Sequence, residues 1–256
     1  MNWTLDIAQF WIVGSRLSGM LLMIPAIGQV ALPTMLRVAI TMWLTFALMN
    51  FVPSPGFAMT DAFEFTVAIG FEFLLGMGIG YVVRLAFAIV EIGGTILDTE
   101  LSFHAAAQFD PTTAVSSGPI GRMLILVSLL YFWLLDYLPI MIMALRESFI
   151  LVPPFAFNMP MFNLESIVKV SAGIFTGGLI MAAPVMALLF AVNVGFGLIA
   201  KSVPGMNFFF EVFVIRILAG LVGMILFLPL ILLIIREQFA RIIPLVSVYL
   251  QGVIVK

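Results

Sequence analysis

"IVKVSAGIFTGGLIMAAPVMALLFAVNVGFGLIA", residues 167–200, runs for 34 residues with a single charge, Lys169. Crossing the hydrocarbon core of a bilayer takes about 20 predominantly apolar residues, so this stretch alone is long enough. Lipid offers no partner to unpaired backbone groups, which makes the helix the economical form for such a segment. A transmembrane β-barrel would instead show alternating segments of about ten residues, and the sequence has none. The stretch is too long for one untilted crossing, and Pro184 lies inside it. Proline removes a backbone donor and disrupts the preceding turn, so a kink or a hairpin is expected there.

The rest of the chain agrees with this reading. Of its 256 residues 63% are hydrophobic and 9% charged, with a mean hydropathy of +1.24, whereas soluble domains carry about 25% charged residues. An all-α integral membrane protein is the expected fold class. Six apolar segments have approximate edges at 7–31, 38–52, 62–90, 123–145, 167–200 and 212–235. The second is short and ends at "PSPG" (53–56), a turn cluster that pairs it with the third. The N-terminal "MNWTLDIAQFW" carries Asp6 and lacks the basic region of a secretory signal, so the first segment is expected to stay in the mature protein. Lys and Arg residues give no consistent orientation under the positive-inside rule, and seven or eight helices, some as hairpins, fit equally. Glycines at helix-contact spacing (Gly70, Gly76, Gly78, Gly80; Gly173, Gly177; Gly220, Gly223) favour close helix packing.

Composition also limits function. Net charge is −2 and the 11 Lys and Arg are scattered, so no basic surface exists to follow a nucleic-acid backbone. Cysteine is absent, which removes disulfides and thiolate chemistry. His104 stands alone in "FHAAAQ" without an acidic neighbour one turn away, Asp98 and Asp110 lie in no aspartyl-protease pattern, and neither H-E-x-x-H nor a Walker glycine loop occurs. No catalysis, metal or cofactor is expected. Charges within membrane segments cost about 2.5–3.5 kcal/mol each at the bilayer centre, so Arg16, Glu64, Glu72, Arg84, Asp136 and Arg216 need partners or water. Ion pairs between helices, or snorkelling near segment ends, is one reading. A secondary transporter acting on a small solute through Glu64, Glu72 and Arg84 is another, although no second half repeats the acidic pair as repeat symmetry would suggest.

Two interruptions break the apolar pattern. "ELSFHAAAQFDPTTAVSSGPIGR" (100–122) is the longest stretch without an apolar run; Asp110 before Pro111 favours a turn, and Arg122 anchors its far end. "KSVPGMNFFFEVFVIR" (201–216) breaks at Pro204 and Gly205 before three phenylalanines. Non-helical backbone at membrane depth is tolerated only inside protein or beside an aqueous cavity. The 17 methionines add flexible, polarisable surface suited to partners of variable shape.

At these residues the chain resembles the FliR/SctT family, the single-copy subunit of the type III export gate of flagella and injectisomes. "SRLSGMLLMIPAIGQVALPTMLR" (15–37) is similar to the family's opening pattern, with Arg16, Pro25, Pro33 and Arg37 in place. Gly94 through "FDP" to Arg122 carries the central similarity, and "NVGFGLIAKSVPGMNFFF" (193–210) the third. Asp98 and Ser102 stand where the resemblance leads one to expect glycines, Gly205 where it leads one to expect Gln, and Glu211, Val212 and Val214 also depart from the pattern.

The resemblance implies helical hairpins packed in a hetero-oligomeric export gate. A FliP-like part (about 1–166) would be followed by a FliQ-like part (about 167–256), with partner subunits placing the helices more than lipid does. It implies several FliP-like and FliQ-like partners, nearby FlhB-like and FlhA-like components, and unfolded export substrates passing through the centre. The site would be the bacterial cytoplasmic (inner) membrane, in the flagellar basal body, with an injectisome as the alternative system. Phe103, Gln108, Phe109, Asp110 and Pro111 would form the gate or plug loop. Pro204, Gly205, Met206, Asn207, Phe208, Phe209 and Phe210 would break the helix and seal the pore. Arg16, Glu64, Glu72, Arg84, Arg122 and Arg216 would supply intramembrane ion pairs.

Overall fold

The computed structural model describes residues 3–28, 33–52, 62–103, 118–154, 164–202 and 208–254. Their regular structure is helical throughout: α1 (Trp3–Met23), α2 (Pro25–Gly28), α3 (Thr34–Met49), α4 (Ala62–Glu100), α5 (Pro119–Leu134), α6 (Tyr137–Leu151), α7 (Leu164–Ser202), α8 (Phe208–Ala240) and α9 (Ile242–Ile254). The chain is an all-α membrane protein. Ala62–Glu100, Ser171–Ile199 and Val212–Tyr249 are each long and apolar enough to cross a bilayer, and α5 with α6 makes a fourth candidate if a pair bent by 67° counts as one broken span.

Helix edges depart from the sequence expectation in three instructive places. The segment expected over 167–200 is one continuous helix, α7, with Pro184 inside it, so the chain does not fold back there. A proline costs one hydrogen bond, here to the carbonyl of Ile180, whereas a turn would leave several backbone groups unpaired in an apolar setting. Helix α4 continues ten residues past the expected end at 90. Its polar last turns are served locally: Thr95 Oγ1 donates to the Glu91 carbonyl and Thr99 Oγ1 to that of Thr95, at 2.8 and 2.9 Å. The expected 123–145 segment is instead two helices, because Asp136 takes a left-handed conformation with φ 52°. A residue with a Cβ is strained in that region, and the helix cannot pass through it.

Contacts divide the chain into two compact units, the first Met1–Leu85, Tyr131–Ser171 and Phe239–Lys256, the second Ala86–Leu130 and Ala172–Gln238. In the first unit α1 packs on α3 and α4. Gln9 Nε2 donates to the carbonyls of Met49 and Val52 at 2.7 and 2.8 Å, satisfying two of the orphan acceptors that follow a helix C-terminus. Against α4 the approach is backbone to backbone: a Cβ at Gly76 would fall on the Arg16 carbonyl, and one at Gly80 on that of Met20. These two glycines, four residues apart, share one face and let α1 in, as small residues do between membrane helices. Helix α9 packs on α6; at the start of α6 the Tyr137 ring meets that of Phe239, from the end of α8, at 5.3 Å and stacks on that of Phe132, from α5, at 6.1 Å.

The second unit uses the same device with different partners. A Cβ at Gly178 on α7 would meet Ile92 and the Gly93 amide, one at Gly94 the Cα of Gly121 on α5, and one at Gly220 on α8 the side chain of Leu101. Gly70 and Gly173, though part of the same sequence clusters, face nothing within 4 Å. This difference is testable by thermal unfolding of the detergent-purified chain. Gly76→Ala is expected to lose about 1–3 kcal/mol or more, because a backbone carbonyl cannot move aside. Gly70→Ala should be neutral or gain up to about 1 kcal/mol of helix propensity. Equal effects at the two positions would refute the close-approach account.

Candidate functional site

The first-unit charge cluster is built around Arg16, which is fully buried, with Glu72 1% exposed. Arg16 Nε donates to Glu72 Oε2 at 2.6 Å, Nη1 to Ser148 Oγ at 3.0 Å and Nη2 to the Val152 carbonyl at 3.1 Å. The guanidinium also lies 3.9 Å from the centre of the Phe149 ring. A planar fork of five N–H donors suits such a multi-partner site. The cluster ties α1, α4 and the end of α6 together.

The other flagged charges do not join it. Glu64, Arg84 and Arg122 are exposed. Along α4, Glu64 lies about 12 Å before Glu72 and Arg84 about 18 Å after it, so these residues do not converge on a solute site. Arg216 pairs with Glu100 at 3.5 Å, each about one-third exposed; Glu100 drew no attention in the sequence because it sits at the polar edge of its segment. Among the described residues no three His, Cys, Asp or Glu side chains gather as a metal would need.

Of the expected gate residues, Phe103 closes the described part of the chain after α4 and is half-buried. Gln108, Phe109, Asp110 and Pro111 lie outside the described residues, as do Pro204, Gly205, Met206 and Asn207. Phe208, Phe209 and Phe210 open α8.

What the structure adds is a junction in the second unit, at the last turn of α4, where the flanks of both interruptions meet. Asp98 and Leu101 are fully buried. Both oxygens of Asp98 accept from the start of α5, from Ile120 N at 2.9 Å and Gly121 N at 2.8 Å. Gly118 and Gly121 leave room for the carboxylate, since a Cβ at either would press on it. Leu101 covers Gly220, and Glu100 reaches Arg216, so the same turn also holds α8. Ser102, two residues beyond the end of α4, takes φ 64°, a conformation that favours glycine. The expectation of a glycine at 102 thus has a physical counterpart in the backbone. Asp98 could have been found from the sequence by asking which group serves the free amides after "GP" at 118–119.

Fold and site together describe a helical membrane protein whose two sequence interruptions are flanked by one junction at the end of α4. The sequence profile of the bacterial export proteins, family 1, matches residues 7–242, and the chain belongs to that family. It is similar to the flagellar biosynthetic protein FliR of Pectobacterium carotovorum subsp. carotovorum, 24% identical over 96% of this chain and 93% of that one. The FliR of Bacillus subtilis (strain 168) is 26% identical over 94% of each. The Yop proteins translocation protein T of Yersinia pestis is 24% identical over 58% of each.

Two predictions concern these residues, both read by thermal unfolding. Arg16→Met alone or Glu72→Leu alone should cost about 3–5 kcal/mol by stranding a buried charge, while the double variant should recover most of that loss. Additive losses would mean that the two side chains do not act as a pair. Ser102→Gly should stabilise the chain by about 1 kcal/mol by relieving the left-handed backbone; a loss would contradict the strain.

Proposed function

We propose that this chain is a structural and gating subunit of the flagellar type III protein export apparatus, without catalytic activity. On this reading it sits in the bacterial cytoplasmic membrane with several copies each of FliP-like and FliQ-like subunits. FlhB-like and FlhA-like components lie nearby, and unfolded export substrates pass through the assembly. Residues 1–166 would serve as the FliP-like part and 167–256 as the FliQ-like part.

The observation that carries the proposal is the family match across residues 7–242. The two flagellar relatives named above are matched over 93–94% of their own length, against 58% for the Yop translocation protein, which supports the flagellum over an injectisome. Two physical features support an embedded subunit. Only 22% of the residues in the apolar window of Ser171–Ile199 and 28% in that of Val212–Tyr249 are buried, against 61% for Ala62–Glu100. Large apolar side chains such as Phe175, Phe190 and Ile225 are about 70% exposed, so these helices have faces left for lipid or partner helices. Helices α4 and α7, at 39 residues each, are about 58 Å long, nearly twice the roughly 30 Å hydrocarbon core. Partner subunits would cover what the bilayer cannot.

The 100–122 stretch would close the pore at rest, and the Met and Phe side chains around 204–210 would seal it around a moving polypeptide. Deleting residues 106–117 in the encoding bacterium tests this. The expected result is an assembled complex that leaks small ions and exports poorly. An assembled complex that stays tight would mean this stretch is not the plug. Loss of motility on removing the whole gene is expected for the flagellar role; intact flagella with lost effector secretion would move the chain to an injectisome.

A further inference from the structure

A cleft of about 580 Å³ lies between α1, α3 and α4 in the first unit. Its lips carry Trp11, Leu22, Val38 and Met42, each about half exposed, so it opens on the outside of the chain. Along α3 it runs from Thr34 to Thr45, about 16 Å at the helical rise. That volume over that length gives a width of about 7 Å, narrower than the about 10–12 Å of a helix with its side chains.

The walls are apolar although five hydroxyl residues line them. Ser15, Ser18, Thr41 and Thr45 each donate to a carbonyl of their own helix, at 2.7–2.9 Å, so these donors do not serve a polar solute. The fifth, Thr34, stands with Arg37 at one end of the cleft, and among the described lining residues Arg37 is the one charge. A Cβ at Gly14 would sit 3.4 Å from Thr45, which sets the start of α1, with Trp11, at the end away from Arg37. Gly70 lines the cleft from α4, and a Cβ there would meet nothing within 4 Å. Gly76 and Gly80 of the same sequence cluster admit α1, whereas Gly70 leaves the cleft open.

We propose that this cleft holds one acyl chain of an anionic phospholipid, with the headgroup phosphate on Arg37. Length, width and charge each select this occupant. One leaflet of the hydrocarbon core is about 15 Å deep, half of the total, which matches the cleft with its cation at one end. A single hydrocarbon chain, packed at about 4 Å between carbons, fits the width, and a partner helix does not. A guanidinium meets two phosphate oxygens with two parallel N–H donors, and basic groups between membrane helices favour anionic headgroups.

The test places the full chain in nanodiscs of phosphatidylcholine with a small fraction of lipid brominated along its acyl chains. Bromine quenches indole fluorescence on contact, and the difference between the parent and Trp11→Phe isolates Trp11. Brominated phosphatidylglycerol should reach half-maximal quenching at about a fivefold lower fraction than brominated phosphatidylcholine, the preference one cation provides. Arg37→Gln should bring the two lipids level, and Gly70→Leu should remove the preferential quenching by filling the cleft. Equal quenching by the two lipids in the parent would overturn the inference, as would a preference that survives Arg37→Gln. If that variant fails to insert, Gly70→Leu decides, and unchanged quenching there has the same meaning. Because the sequence holds no cysteine, Ser18→Cys gives a single attachment point inside the cleft for a photoactivatable label in the whole membrane assembly. Attachment to phospholipid is expected; attachment to a partner chain would mean that a protein segment fills the cleft, and the inference would fall.

Discussion

A guanidinium that water does not reach has to be met on every side by protein, and Arg16 imposes that requirement on the whole first unit. Its partners come from three places in the chain: Glu72 on α4, Ser148 on α6 and the carbonyl of Val152 just beyond it. Against an apolar substitute the ion pair gains little net energy, because both charges are desolvated. Any slip of α1 along α4, however, would strand a charge at a cost of several kcal/mol. The glycines at 76 and 80 follow from the same constraint, since only a bare backbone lets α1 come close enough for the short Arg16–Glu72 contact. Register and packing in this unit are thus one arrangement.

In the second unit a buried carboxylate takes the corresponding part, with a different kind of partner. Asp98 meets backbone amides, whose positions are fixed by a helix start, so its effect is to place one helix end against another. Arg16 is satisfied mainly by side chains and holds helix faces together; Asp98 is satisfied by main chain and holds the flanks of an interruption. On the proposed reading both belong to the frame of an export subunit. The exposed apolar faces of α7 and α8 then belong to the assembly, and the weak Lys and Arg asymmetry of the sequence is what placement by partner helices would leave behind.

Much of this was legible in residue order. Low charge and long apolar runs announced helices in a membrane, whereas the Asp-Pro and Pro-Gly steps lie outside the described residues. At Pro184 the hairpin alternative fell away, because a proline's local cost is smaller than the cost of turning an apolar chain back on itself. The end of α4 misled: Thr95, Asp98 and Thr99 look like loop residues, but each satisfies its polar atoms on helix backbone. The glycine clusters were read as a group, yet Gly76 and Gly80 lie against neighbouring backbone while Gly70 and Gly173 face nothing within 4 Å. Spacing along one helix cannot say which face a second helix will choose.

The sequence by itself determined the solvent, the secondary structure and the family, because each depends on composition and short-range order: hydropathy selects lipid, lipid demands internal hydrogen bonds, and motif order marks descent. Tertiary structure alone decided the pairings. Of the six charges singled out, Arg16 found Glu72, Arg216 found the unremarked Glu100, and three stayed on the surface. Asp98 became the group that joins α4 to α5. Such choices turn on distances between residues 22 to 136 positions apart, and those distances exist only once the backbones have been brought into contact.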